Sequence, residues 1–116
     1  MTDRISLPDR RPNATVEVTH GGFAFTVTVG MDLQGRPLEV FANCPRIGTD
    51  LDHTISDACV LISLLLQHGG APELLTKSLG RVPDPASTAA LCRPASAVGS
   101  IAAAVAAFSI GRDGDA

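Results

Sequence analysis

Three cysteines are the side chains with the most capacity for chemistry, as nucleophiles, redox pairs or metal ligands. Cys44, Cys59 and Cys92 are odd in number and lie 15 and 33 positions apart, which fits neither a disulfide framework nor a zinc ribbon. Reduced thiols are therefore expected. Cys59 falls within an apolar helical stripe and is predicted to be a core residue. Cys44 precedes Pro45 in a predicted turn, where an ordinary thiol is expected. Cys92 lies beside Arg93, a cation that favours a thiolate, so it is the candidate reactive thiol.

Four polar residues stand in otherwise apolar surroundings and are the candidate site residues. Arg36 and Glu39 lie on a predicted hairpin, and Asp57 and Ser63 lie on a predicted helix of largely apolar sequence. A charge on a buried helix must find a partner, because an unpaired buried charge is costly. The four residues therefore predict hydrogen-bonded contacts that fix the hairpin to the helix, with a ligand site as the alternative.

The other chemistry-bearing residues form no catalytic pattern. The histidines at positions 20, 53 and 68 have no i, i+4 partner of the kind that binds zinc from one helix. No nucleophile elbow or paired-carboxylate signature accompanies the Ser, His and Asp residues, which argues against hydrolysis. Gly21 and Gly22 lack the strand-to-helix context of a phosphate loop and are predicted to form a turn. The sequence thus predicts no catalytic residue and no metal ligand.

Composition restricts the class of protein. A chain of 116 residues, 45% hydrophobic and with a net charge of −3, has the size and content of one folded domain. Nine Lys and Arg residues form no basic stripe, and four Phe without Tyr or Trp provide little for base stacking, so direct nucleic-acid binding is not expected. The apolar run at residues 59–66 is too short to span a membrane, and the first residues lack the apolar segment of a secretion signal. A cytoplasmic protein without membrane contact is expected.

Period-two alternation predicts the strands that position these residues. Valines alternate with polar residues over positions 15–19, and an aromatic and β-branched face repeats over positions 23–29. After a turn at residues 30–36, a third alternation places Leu38, Val40 and Ala42 on one face, with Glu39 and Phe41 on the other. An antiparallel meander of about three strands is expected, and its apolar face requires a cover because an isolated meander is marginal in water.

Helical periodicity predicts that cover. Apolar residues recur at steps of three and four over residues 51–66, with Thr49 or Asp50 as the N-cap and Gly69 able to end the helix. A second helix is predicted over residues 72–79 and a third from Ser96 or Ser100, with an irregular connection over residues 81–94. The predicted fold class is α+β, with two to three helices packed on the sheet around one core. The domain is expected to span residues 14–110, between a flexible arm at residues 1–13 and a frayed tail at residues 111–116.

Several of these segments together resemble a known family. Residues 22–29, 35–41, 47–50 and 61–69 occur in the order and spacing of the TSCPD domain, and the similarity covers roughly residues 15–108. That family is found at the C-terminal end of cobalamin-dependent (class II) ribonucleotide reductases and as small stand-alone proteins related to them. The resemblance implies a link to deoxyribonucleotide supply and DNA synthesis. Cobalamin enters only through this family association, and no cofactor is expected in this chain.

The chain departs from the family at its name-giving stretch. Where Thr-Ser-Cys-Pro-Asp is expected, residues 94–101 read Pro-Ala-Ser-Ala-Val-Gly-Ser-Ile, so only Ser96 remains. The cysteine-rich tail of many reductases does not follow in these residues, and zinc binding and thiol shuttling are not transferred. Ribonucleotide reduction also needs a radical-generating cofactor and a deep protective barrel. Catalysis by this chain alone is not expected, although stand-alone members are commonly labelled as ribonucleoside-diphosphate reductases.

Two functions remain open at this point. The favoured hypothesis is a non-catalytic assembly or regulatory module, a homodimer that contacts a reductase or another protein of nucleotide metabolism. It follows from the helix over residues 51–66, which is apolar on more than one side and therefore needs a second covering layer. The alternative is a nucleotide-binding or other small-molecule domain, or a minimal enzyme, with Arg36 and the glycines of residues 20–22 near its pocket.

Overall fold

A three-stranded antiparallel sheet forms one layer of the molecule in the computed structural model, which describes residues 12–89 and 91–115. Its strands are β1 (Asn13–His20), β2 (Phe23–Met31) and β3 (Pro37–Asn43), in the spatial order β1-β2-β3. The predicted meander is confirmed, and Phe25, Val27 and Val29 are fully buried on one face of β2, as alternation requires. Most of the predicted flexible arm at residues 1–13 lies outside the described residues.

Three helices follow at the predicted places: α1 (Asp50–Gln67), α2 (Pro72–Ser78) and α3 (Ala97–Asp115). Thr49 caps α1, since its side chain accepts a hydrogen bond from the backbone N–H of Asp52. Ser96 stands at the start of α3 and its Oγ accepts from the Gly99 N–H at 3.0 Å. The fold class is α+β, as predicted, and α3 continues past residue 110.

The connection predicted to be irregular contains a small second sheet. β4 (Arg81–Pro83) and β5 (Cys92–Pro94) pair antiparallel, so the sequence-based expectation for residues 81–94 was wrong at both ends of that segment. Pro83 and Pro94 obscure the pattern because proline cannot donate to a strand ladder. Three-residue strands at the edges of a ribbon tolerate this loss, and they are too short to show a period.

The core lies between the sheet and the helices. Phe25 and Val27 of β2 pack with Ile55 of α1 and with Ile101 and Val105 of α3, each at most 1% exposed. The alanines of α3 let this helix approach the sheet closely. Within the described ranges, no helix is long and apolar enough to cross a membrane.

Candidate functional site

Helix α1 lies along the free edge of β3 and hydrogen-bonds to its main chain. Ser63 Oγ accepts from the Val40 N–H at 3.0 Å and donates to the Val40 carbonyl at 3.4 Å. Gln67 Nε2 donates to the Leu38 carbonyl at 3.0 Å. Cys59 receives a backbone hydrogen bond from Ala42. We call this contact the α1–β3 seam, formed by three helix residues and three strand residues: Cys59, Ser63 and Gln67 against Ala42, Val40 and Leu38.

The seam exists because two periods coincide. Alternate residues of β3 direct their backbone groups away from β2, and two strand residues advance about 6.6 Å. Helix residues four apart lie on one face and advance about 6 Å. A helix running antiparallel to β3 therefore offers one side chain to each outward-facing residue of the strand. The edge of β3 is closed to further strand pairing.

Glu39 is buried although its side chain is acidic, with 8% of its surface exposed. It pairs with Gly30 across β2 and β3, on the sheet face that the alternation predicts to be polar. A Cβ atom at Gly30 would lie 2.6 Å from Glu39 Oε1 and 2.7 Å from its Cγ, so a larger residue at this position would force the Glu39 side chain to shift. Gly30 thus allows the side chain of Glu39, its cross-strand partner, to lie against the surface of the sheet.

A groove of about 390 Å³ opens between β3 and α1 beside the seam. Phe41 and Val60 stand in its walls with 58% and 56% of their surfaces exposed. Ser63 and Gln67 line it too, but their polar groups already bond to β3. We call it the Phe41–Val60 groove; these two apolar side chains are exposed at its surface.

The thiol next to this groove is poorly suited to chemistry. Burial raises the pKa of Cys59 to about 11, despite the opposing hydrogen bond from the Ala42 backbone. The thiol therefore stays protonated at neutral pH, and a protonated thiol is a weak nucleophile. Cys44, which directly follows β3, is also buried, whereas Cys92 is exposed on β5.

The four predicted site residues do not lie together in the structure. Glu39 and Ser63 both line the Phe41–Val60 groove. Asp57 is exposed on α1, and Arg36 lies at the β2–β3 turn, where its Nε donates to Asp32 Oδ2 at 2.7 Å. The Arg36 side chain is 69% exposed. A second cavity, of about 240 Å³, opens beside it and is also lined by Gly69, Gly70 and Glu73.

The expected pocket that joins Arg36 to the glycines of residues 20–22 does not form. Gly21 and Gly22 make the β1–β2 turn, and Arg36 follows the β2–β3 turn at the other end of the sheet. The nine residues of β2 separate these turns by roughly 30 Å.

Two residues important to the site escaped the sequence-based analysis. Gln67 is 3% exposed and completes the seam, and Asp32 is 7% exposed and organises the β2–β3 turn. The spacing of four between Ser63 and Gln67 was a usable signal, because it places both on one helix face. Asp32 resembled an ordinary turn residue, and its burial could not be read from the chain.

The histidines do not converge. His20 Nδ1 lies 2.9 Å from Ser100 Oγ and ties the end of β1 to α3, His53 is exposed, and His68 follows the last turn of α1. Across residues 12–89 and 91–115, no group of three His, Cys, Asp or Glu residues is arranged to hold a metal ion.

Fold and site thus define an α+β domain with a surface groove between β3 and α1. The model of the TSCPD domain family matches residues 3–108 of the 116. The chain belongs to the TSCPD domain family. No curated protein and no solved structure matches it.

Proposed function

We propose that this protein is a non-catalytic assembly or regulatory module that contacts an enzyme of deoxyribonucleotide supply, and that it acts as a homodimer. The observation that carries the proposal is the outward side of α1. Val60 and Leu61 are 56% and 67% exposed there, and Phe41 stands across the groove from Val60. Large apolar side chains grouped at a surface are typical of protein interfaces.

Physical chemistry favours binding over catalysis at this place. Ser63 and Gln67, two of the polar side chains that line the groove, are engaged in the seam, so their bonded groups are not available to activate a substrate. Burying one exposed leucine in a partner contributes about 1.5–3 kcal/mol, and a central aromatic residue such as Phe41 adds the kind of anchor that dominates interface energies. Family membership directs the search for the partner to ribonucleotide reductases and related enzymes.

A binding titration tests the proposal. The purified protein is titrated against a cobalamin-dependent ribonucleotide reductase from the same source, with and without Leu61→Glu. A charge buried in an apolar contact should weaken the complex at least roughly tenfold. Leu33→Glu is the matched control, since Leu33 is 75% exposed at the β2–β3 turn and does not line the Phe41–Val60 groove. Absence of binding by the unaltered protein, or equal loss in both variants, contradicts the proposal.

The alternative, a nucleotide-binding domain or minimal enzyme, has one specific observation in its favour. The mostly exposed Arg36 side chain borders the cavity of about 240 Å³ and could meet an anion. A ligand that binds the native state must raise its stability, so thermal-shift measurements with millimolar nucleotides and with cobalamin test this function. An unchanged melting temperature removes its support.

A further inference from the structure

The outer edge of β1 presents an ordered row of backbone hydrogen-bonding groups. The Met31 N–H donates to the Pro12 carbonyl, which fixes the even-numbered residues of β1 as the ones that face β2. The odd-numbered residues therefore direct their N–H and carbonyl groups outward: Asn13, Thr15, Glu17 and Thr19. Within the described part of the chain, no backbone or side-chain hydrogen bond reaches these outward groups.

The two edges of the sheet differ in how the rest of the chain covers them. The edge of β3 is closed by the α1–β3 seam, whereas in the described residues α3 contacts β1 from the core face and no hydrogen bond closes the outer edge of β1. β1 is eight residues long and carries a single charged side chain, Glu17. An open edge of this length is a template for pairing with another strand unless it is blocked by proline, charge or a bulge.

From this geometry we infer that a second copy of the chain pairs with β1 edge to edge, antiparallel, about a twofold axis at Val16. The pairing joins the two sheets into one continuous sheet of two copies. This pairing would be the contact that forms the proposed homodimer. The inference rests on the proposed function only in that a dimer exists. The outward side of α1 remains available to the enzyme partner.

The register follows from hydrogen-bond parity and charge. Outward-facing residues must oppose outward-facing residues, so the axis has to pass through a whole residue position. An axis at Glu17 would set two carboxylates directly opposite each other, which is unfavourable. An axis at Thr15 would leave Thr19 without a partner inside the strand. The axis at Val16 pairs Asn13 with Thr19 and Thr15 with Glu17, and it satisfies all four outward positions in roughly eight hydrogen bonds.

The same register places apolar side chains together on the other face. Val16, which is 37% exposed, meets its own copy, and Ala14 meets Val18. These are non-hydrogen-bonded pairs, in which the side chains of antiparallel strands approach most closely. The edge is thus complementary to itself in both its main chain and its side chains, as a twofold interface requires.

Sedimentation equilibrium of the protein alone gives the first test. The unaltered chain should reach twice its mass of 12.0 kDa at micromolar concentration. Glu17→Pro removes an outward N–H from each copy but none that bonds to β2, so the monomer keeps its sheet. It should weaken the dimer roughly tenfold or more. The matched control is Glu17→Thr, which keeps the N–H group and should preserve the dimer.

Disulfide trapping tests the register independently of that variant. In a Cys92→Ser background, Val16→Cys should form a covalent dimer under mild oxidation, because the Cα atoms of such a pair lie about 4.5 Å apart, within disulfide range. Thr19→Cys is the control, since its two copies would be separated by roughly 20 Å along the strands. Circular dichroism of each variant verifies that the monomer is folded.

The possible results separate this inference from the proposed function. A monomeric unaltered protein, a dimer insensitive to Glu17→Pro, a folded Val16→Cys that does not cross-link, or a dimer lost in Leu61→Glu would each overturn the β1 pairing. A dimer that fails only with Glu17→Pro and cross-links through Val16→Cys supports it. Enzyme binding is measured separately with Leu61→Glu. A failure of the β1 pairing can therefore be distinguished from a failure of the proposed enzyme contact.

Discussion

Asp32 holds the β2–β3 turn with three hydrogen bonds to one carboxylate. Its Oδ1 accepts from the backbone N–H groups of Gln34 and Arg36 at 2.9 and 2.8 Å, and its Oδ2 accepts from Arg36 Nε. Burial by itself would raise the pKa of Asp32. The Arg36 hydrogen bonds, the Arg36 charge and the Gln34 N–H outweigh burial, so the pKa is lowered below its ordinary value.

This lowered pKa predicts a loss of stability in acid. The lowered pKa means that Asp32 binds a proton less readily in the native state than in the unfolded chain. Its contribution to the free energy of unfolding is therefore complete at pH values above the pKa of the unfolded chain, and it is lost as the pH falls through the pKa of the folded state. Asp32→Asn should reduce the free energy of unfolding by about 1 kcal/mol near neutral pH and flatten its decline below about pH 4. Urea unfolding at a series of pH values measures both effects. Parallel curves for the two proteins in acid would contradict the assignment.

At the scale of elements, the docking of α1 against β3 decides how the sheet ends. Val40 is 1% exposed, so its backbone groups cannot reach bulk water and depend on Ser63. Every buried side-chain nitrogen or oxygen in the described part of the chain has a hydrogen-bond partner. Helix α1 therefore provides hydrogen-bond partners for the backbone of β3, as a neighbouring strand would, but through its side chains and not through its main chain.

Ser63→Ala tests this role. The substitution leaves the Val40 N–H and carbonyl without their partner, and it should lower the free energy of unfolding by about 1–3 kcal/mol. Ser56→Ala, at an exposed position of the same helix, is the control and should stay within about 0.5 kcal/mol of the unaltered protein. Equal effects in the two variants, measured by urea denaturation, would show that the seam does not stabilise the fold.

At the scale of the whole molecule, the three thiols report on the integrity of the core. Cys44 and Cys59 are 6% and 4% exposed, and Cys59 belongs to the cluster of β2, α1 and α3 side chains. Cys92 lies at the surface on β5. Reagents reach buried thiols only when the structure opens, whereas a surface thiol reacts in the native state.

Thiol labelling of the native protein should thus modify one cysteine per chain rapidly and all three only in denaturant. Cys92→Ser should abolish the rapid phase and leave the slow phase unchanged. Mass spectrometry of the labelled chain identifies the modified residue. Rapid native labelling of Cys59 would show that the core is open around α1.

Much of the fold could be predicted from the chain because its signals are local. The alternation over residues 23–29 identified β2, Pro72 identified the start of α2, and Thr49 or Asp50 was expected to cap α1, where the structure has Thr49. The small β4–β5 sheet was missed because its proline-containing strands are too short to show a period. Of the candidate site residues, Ser63 and Glu39 share a groove, while Arg36 and Asp57 lie elsewhere, since side-chain chemistry does not specify which segments become neighbours.

The sequence alone thus determined the types of β1–β3 and α1–α3, the α+β class and the family, because strand alternation, helical stripes and caps are properties of consecutive residues. Tertiary structure alone decided which edge of the sheet is covered. The bonds from Ser63 and Gln67 to β3 span 23 and 29 positions of the chain, and they form only once α1 has docked with its four-residue period in step with the strand. Within the described residues, no hydrogen bond reaches the outward backbone groups of β1, which no local pattern could have indicated.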